Sequence, residues 1–299
     1  MTNQKLQRRI LNSIREWNLR VPLSILGPTG SGKTSSLLKH LRSHSSEIKN
    51  ALLVSVDSIA AYRELDIGSS KVSGADRSDF DWRGIDLVAP TQKMTAAIFV
   101  EAVKADILKA LSEKRPVVFI GGTHFYERFL VEGPSPGTVS DPDFIKELET
   151  RGSAAVYEDL KSQDSRWGED LHLNDQFRIF RYGDLVLRQG LSYDELRAGG
   201  NSLFPQVDTL ILNLERDHQE KVLGSRIEEM FQQGWLQEVE SLLTRYAPDV
   251  PALLTMGYAE IVDFLLKKSI PSLDVLKEKI LIRHRQLAKQ QRTWLRQLA

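Results

Sequence analysis

The run Gly27-Pro28-Thr29-Gly30-Ser31-Gly32-Lys33-Thr34 fits the pattern G-x-x-x-x-G-K-[ST] at every position. Its residue types and spacing point to phosphate binding. Glycines let backbone N–H groups converge on an anion, and the start of a following helix adds a favourable dipole. Lys33 is placed to neutralise phosphate oxygens, and the Thr34 hydroxyl to hold Mg²⁺. The loop predicts a phosphate-bearing ligand and leaves its identity open. Enzymes that split a nucleoside triphosphate add an Asp closing a hydrophobic strand. Here the apolar run Val117–Ile120 continues into Gly121-Gly122-Thr123, and the strand that does end in Asp is VSVDS, at Asp57. A carboxylate there has three uses: binding magnesium, capping a helix, or acting on an acceptor group.

These residues need a scaffold that brings separate loops to one edge. The first third alternates short apolar runs with helical patterns, as in a parallel sheet flanked by helices. Val21–Leu26, Ala51–Val56 and Val117–Ile120 read as strands, and Lys33–Leu41 and Met94–Leu111 as helices. The second helix carries Ile98, Val103, Ile107 and Leu111 on one stripe. Residues 133–142 (GPSPGTVSDP) read as a loop, with Asp141 and Pro142 suited to capping and starting a helix. From 143 to about 200 the pattern is helical and more polar, and Val207–Leu214 predicts a strand that returns to the sheet. The predicted fold is α/β, a P-loop NTPase-like parallel core with a helical insertion and C-terminal helices. Its divisions are 1–132, 133–204 and 205–299.

With 299 residues, 41% of them apolar, the chain has the composition of a globular protein with a sizeable core. It has no cysteine, which excludes disulfides, thiolate zinc sites, Fe–S clusters and cysteine nucleophiles. Lys plus Arg and Asp plus Glu each total 40, so the formal charge is zero. That balance conceals an acidic middle, net −5 over 141–170, and a basic tail, net +6 over 277–299. The acidic stretch is expected to face solvent. The first twenty residues lack a secretory signal, and Ile10, Ile14 and Trp17 fall at the spacing of an amphipathic helix. With no long apolar span either, the expected compartment is the cytoplasm.

The loop does not stand alone. GPTGSGKT, DSIAAYRELDIGSSK (57–71), GGTHFY with Arg128 and EGPSP, HLND and FRIFR (172–181), RIEEMFQQGWLQEV (226–239), PALLTMGY (251–258) and RQLAKQQRTWLR (285–296) follow one another in order. Together they resemble the tRNA dimethylallyltransferases, also called tRNA isopentenyltransferases, in the bacterial form. The resemblance implies transfer of a dimethylallyl group from dimethylallyl diphosphate to the exocyclic amine of the adenosine at position 37 of tRNA. It implies Asp57 as general base and Thr123 as the residue that positions the amine. Gly27, Thr29, Gly30, Ser31, Gly32, Lys33, Thr34 and Arg226 would hold the diphosphate. Asp57, Ser58, Ile59, Ala60, Thr123, Arg128, Arg178, Arg181, Gly257 and Tyr258 would meet tRNA. Mg²⁺ is the implied cofactor, with Thr34 its ligand. The implied partners are tRNA and dimethylallyl diphosphate, with no membrane, and the protein is expected to be a monomer.

The chain also departs from the family pattern. Asp81-Trp82-Arg83-Gly84 stands where a histidine-bearing segment is usual, and Ala89-Pro90 replaces a common D-P. Leu254 and Ala259 replace basic residues flanking the G-Y pair, Gln290 an arginine in the tail, and Val222 another four residues before Arg226. Most of these losses fall on the RNA side. RNA affinity then rests on other residues, or acceptor choice has changed. The alternatives are a P-loop small-molecule kinase with Arg178 and Arg181 as a lid, or a paralogue that prenylates free adenine nucleotides or only binds RNA. His124 is expected to be a loop-wall residue and not a metal ligand, since no second His or paired carboxylate sits at metal spacing beside it, and Trp235 and Trp294 are expected in the core.

Overall fold

Leu23–Leu26 (β1) and Leu52–Val56 (β2) are buried at every position, as strands covered on two faces must be. They belong to a computed structural model that describes residues 21–43, 50–133, 137, 140–198, 204, 206–212 and 215–296. The predicted lead-in helix and the last two residues of the predicted strand 207–214 lie outside the described residues. Between β1 and β2 runs α1 (Lys33–Ser43); after β2 come α2 (Gly74–Asp79) and β3 (Asp81–Arg83). Then follow α3 (Ala96–Ser112), β4 (Val117–Gly121) and α4 (His124–Glu132). Thr95 begins α3 by accepting the Ile98 N–H on its hydroxyl at 3.2 Å, so the helix starts just after the predicted Met94.

With β5 (Asp208–Ile211), the strands form a five-stranded parallel sheet in the order β3-β2-β4-β1-β5. Leu23, Ile25, Leu53, Val118, Ile120 and Leu210 pack with Leu37 and Leu41 of α1 on one face. The register sets Leu26 and Val56 beside Gly121, so the loops after β1, β2 and β4 leave the sheet together. Strand β3 escapes the apolar-run reading because its sequence is DWR. Its charges are satisfied laterally instead. Arg83 pairs with Asp81 and Asp106, and Arg115 with Asp81. Charged side chains on such an edge also discourage pairing with another chain.

The chain divides into two compact units, Met1–Val131 with Phe204–Ala299, and Glu132–Leu203. The second contains α5 (Pro142–Arg151), α6 (Ser153–Gln163), α7 (Trp167–Asp170), α8 (Gln176–Gly183), a π-helical turn Asp184–Arg188, and α9 (Tyr193–Arg197). Asp141 caps α5, taking the Asp143 N–H at 2.9 Å, and Pro142 opens it. Leu148, Val156, Leu160, Trp167, Ile179 and Leu185 form its core. Asp159, Asp164 and Asp170 pair with Arg151, Arg166 and Arg197, and the remaining carboxylates of 141–170 are exposed.

In the first unit the chain continues through α10 (Arg216–Gln232), α11 (Trp235–Leu243), α12 (Tyr258–Leu265) and α13 (Leu273–Leu295). Ile280, His284, Ala288 and Leu295 are the buried side of α13. No helix among the described residues is long and apolar enough to cross a membrane. Trp235 is buried as expected, but Trp294 is 51% exposed on the last turn of α13, correcting its assignment to the core. Its ring centroid lies 6.4 Å from that of His124.

Candidate active site

The phosphate loop turns from β1 into α1 with Gly30 and Gly32 at φ 75° and 72°, backbone that side chains bearing a Cβ rarely adopt. The Ser31 N–H donates to the Pro28 carbonyl at 3.1 Å, and the Lys33 ammonium reaches the same carbonyl at 3.3 Å. Burial pushes the Lys33 pKa down to about 8; the Arg226 charge acts the same way, and Asp57 opposes both. Arg226, on α10, donates from Nε to the Ser70 hydroxyl at 3.0 Å and from Nη1 to the Thr29 hydroxyl at 3.2 Å. Burial also lowers the pKa of its guanidinium, against the pull of Asp57 and Glu229. Two cations, one lowering the proton affinity of the other, favour an added negative charge beside them.

Asp57 leaves the end of β2 directly beside them. Its Oδ1 accepts the N–H groups of Ile59 at 2.8 Å and Ala60 at 3.2 Å, while Oδ2 bonds to nothing among the described residues. One oxygen fixes the turn and the other is available. Across the register, the Thr123 N–H donates to the Val56 carbonyl at 3.2 Å, and its hydroxyl accepts the Ser58 N–H at 3.3 Å. Asp57 and Thr123 therefore stand on neighbouring strand ends, tied through Ser58. The pair, Lys33 and Arg226 make one cluster.

Other expected contact residues are placed differently. Ala60 is buried and its carbonyl accepts the Asp86 N–H at 3.2 Å, so it builds the turn. Tyr258 is wholly buried, and its hydroxyl donates to Glu238 at 2.6 Å. The same carboxylate accepts the N–H groups of Asp66 at 2.9 Å and Ile67 at 2.8 Å. Burial and Glu238 both push the Tyr258 hydroxyl pKa up, so it stays a donor. Gly257 gives its N–H to Glu260 at 2.7 Å. The G-Y pair thus supports the loop leading to Ser70. Ser58 and Ile59 are half-buried, and Arg128 is exposed on α4.

Arg178 and Arg181 sit on α8 in the second unit. Arg178 lies 3.6 Å from Asp175 and donates to the Asp170 carbonyl at 3.4 Å. Arg181 is engaged with the Ser140 hydroxyl and with buried Asp184 at 3.4 Å, and burial lowers its pKa.

Three polar contributors carry no role in the sequence-based expectations, although Gln291 lies within the block 285–296. Gln219 of α10 and Gln291 of α13 both hold Thr29: Gln219 Nε2 donates to its carbonyl at 2.7 Å, and Gln291 Oε1 accepts its N–H at 2.8 Å. The third is Glu127, 5% exposed, which accepts from the Ser24 hydroxyl at 3.0 Å and lies 3.1 Å from His124 Nδ1. His124 thus does have a carboxylate partner, one helical turn on. No group of three or more His, Asp or Glu among the described residues could hold a metal ion by itself. The Thr34 hydroxyl has no hydrogen-bond partner among the described residues. A lone hydroxyl joined by ligand phosphates and water is the kind of oxygen set Mg²⁺ accepts.

The chain matches the family model described as IPP transferase over residues 60–298. It belongs to that family. The tRNA dimethylallyltransferase of Rippkaea orientalis is 32% identical over 93% of this chain and 91% of its own length, a span that necessarily takes in the phosphate loop and Asp57. That of a Synechococcus strain is 34% identical over 91% of this chain and 75% of its own. Among solved structures, the tRNA isopentenylpyrophosphate transferase of Bacillus halodurans superposes with a TM-score of 0.65 at 24% identity, covering 93% of this chain and 87% of that one. A eukaryotic dimethylallyltransferase acting on tRNA gives 0.75 at 21% identity, over 92% and 69%. The IPP transferase member described here accordingly has their P-loop NTPase-like α/β fold.

Proposed function

We propose that this protein transfers a dimethylallyl group from dimethylallyl diphosphate to the exocyclic amine of the adenosine at position 37 of tRNA, beside the anticodon. The observation that carries the reading is the Asp57 carboxylate, one oxygen unoccupied, set against Lys33 and Arg226 at the mouth of the phosphate loop. An adenine amine is a poor nucleophile because its lone pair is delocalised into the ring. The new N–C bond forms as the C–O bond to diphosphate breaks, and the electron pair leaves with the diphosphate. The amine proton passes to Asp57 Oδ2, a transfer that contributes about 10²–10⁴-fold. Thr123 orients the amine from the neighbouring strand end.

Lys33, Arg226 and the loop amides stabilise the charge that builds on the leaving diphosphate. Mg²⁺, held through Thr34 and the diphosphate oxygens, would supply further neutralisation when bound. The target base must leave its stack, at a cost of a few kcal/mol, which an anticodon loop permits more easily than a duplex. Arg128, Arg178 and Arg181 are the proposed RNA contacts, and the protein is proposed to act as a cytoplasmic monomer.

The test incubates purified protein, Mg²⁺ and dimethylallyl diphosphate with unmodified tRNA, followed by digestion and mass measurement of the nucleosides. The expected product is adenosine heavier by one dimethylallyl group, absent with Asp57→Ala. Product on free AMP but not on tRNA would move the acceptor from RNA to the nucleotide. ATP-dependent phosphorylation of a small acceptor would replace prenyl transfer altogether.

A further inference from the structure

The carboxamide of Gln291 is engaged at both ends. Its Oε1 accepts the Thr29 N–H at 2.8 Å, and its Nε2 donates to the Gly122 carbonyl at 2.9 Å. The phosphate loop follows β1 and Gly122 follows β4, adjacent parallel strands with Leu26 opposite Gly121. The side chain therefore bridges two neighbouring strand ends, in the crevice where open parallel sheets bind their ligands. Its approach is built into the backbone. A Cβ on Gly122 would lie 2.5 Å from Gln291 Nε2, so a residue larger than glycine would displace the amide. Gln219 takes the Thr29 carbonyl at 2.7 Å and is itself held by Arg292, while Arg226 takes the Thr29 hydroxyl at 3.2 Å. Every polar group of Thr29 is thus held by α10 and α13, and its N–H is withdrawn from any anion.

A third phosphate on a loop of this kind extends beyond the loop toward a neighbouring strand end, where phosphoryl-transfer enzymes place a metal-binding Asp. In this chain the end of β4 presents Gly122 and the Gln291 carboxamide, fixed there by its bonds to Thr29 and Gly122. We infer that Gln291 is a specificity-determining residue: it occupies the place of a third phosphate, so the loop accepts a diphosphate and rejects a triphosphate. The inference rests on the reading of the loop as a diphosphate site.

Equilibrium binding of inorganic pyrophosphate and of inorganic tripolyphosphate, each with Mg²⁺, tests it on the full chain. Charge alone favours tripolyphosphate. The expected wild-type preference is for pyrophosphate, by at least about tenfold, which corresponds to about 1.4 kcal/mol. Gln291→Ala is expected to cut that ratio by tenfold or more, chiefly through tighter tripolyphosphate binding. Gly122→Ala, which evicts the same side chain, is expected to move the ratio in the same direction. An unchanged ratio in Gln291→Ala overturns the inference. So does loss of pyrophosphate binding with an unchanged melting transition, which would make Gln291 a prop for the loop. If Gln291→Ala does not fold, Gln291→Asn, too short to span both strand ends, is judged by the same ratio. A wild-type protein that binds neither anion removes the diphosphate reading, and the inference with it.

Discussion

Burial and the neighbouring Arg226 hold the Lys33 ammonium at about 8, well below the usual lysine range, and this has consequences for both stability and binding. Unfolded, Lys33 titrates near the ordinary value of about 10.4. In the window between these values the unfolded chain binds more protons, so the contribution of this site to stability rises with pH there. Anion binding runs the other way, because it favours the charged ammonium. Pyrophosphate affinity is expected to fall as pH rises above about 8, with proton uptake on binding; Lys33→Arg should flatten that profile. Titration calorimetry in buffers of different ionisation enthalpy measures both. Asp57 has the opposite charge beside the same cations. Asp57→Asn is expected to lower kcat by about 10²–10⁴-fold while pyrophosphate binding stays the same or tightens. Equal loss of both would remove Asp57 from the role of base.

Helices α11 and α12 act on the site without touching it. Glu238 gathers the N–H groups of Asp66 and Ile67 and the Tyr258 hydroxyl, and the loop it steadies ends at Ser70, a partner of Arg226. Tyr258→Phe leaves the half-buried Glu238 carboxylate short of one donor, for which a cost of about 1.5 kcal/mol is expected from urea unfolding. The KM for dimethylallyl diphosphate should rise in the same variant, since Arg226 loses a firm neighbour. A drop in stability with an unchanged KM would confine Tyr258 to the fold. Helix α13 is the longest described, and its spacing of buried residues carries Gln291 inward while Arg283, Arg285 and Lys289 remain exposed.

Charge is distributed unevenly across the molecule, and tRNA binding should report it. Arg178→Glu is expected to raise the KM for tRNA several-fold, with little change in pyrophosphate binding and a shallower salt dependence of tRNA affinity. At Arg181 the same change would also face buried Asp184, so a lower melting temperature should accompany the KM effect. Unchanged tRNA kinetics in Arg178→Glu would place the RNA elsewhere.

The phosphate loop was legible because an anion cradle is local: eight consecutive residues determine the turn, the helix start and the lysine. Asp57 was legible as the residue closing an apolar strand, and Thr123 and Arg226 through the order of the family blocks. Strand β3 was not, since its three residues are held by lateral ion pairs and carry no apolar run. Nor was the accessibility of Tyr258 or Trp294, which depends on what packs over each ring. Gln291 meets Thr29 across 262 positions, and Gln219 across 190. Glutamine has no periodicity or charge that marks such a contact in advance. The sequence alone determined which backbone groups and charges gather at the phosphate loop. Only the packing of α10 and α13 over the strand ends decided that Gln219 and Gln291 close on Thr29, because a contact across so many positions is made by the tertiary fold and not by local sequence.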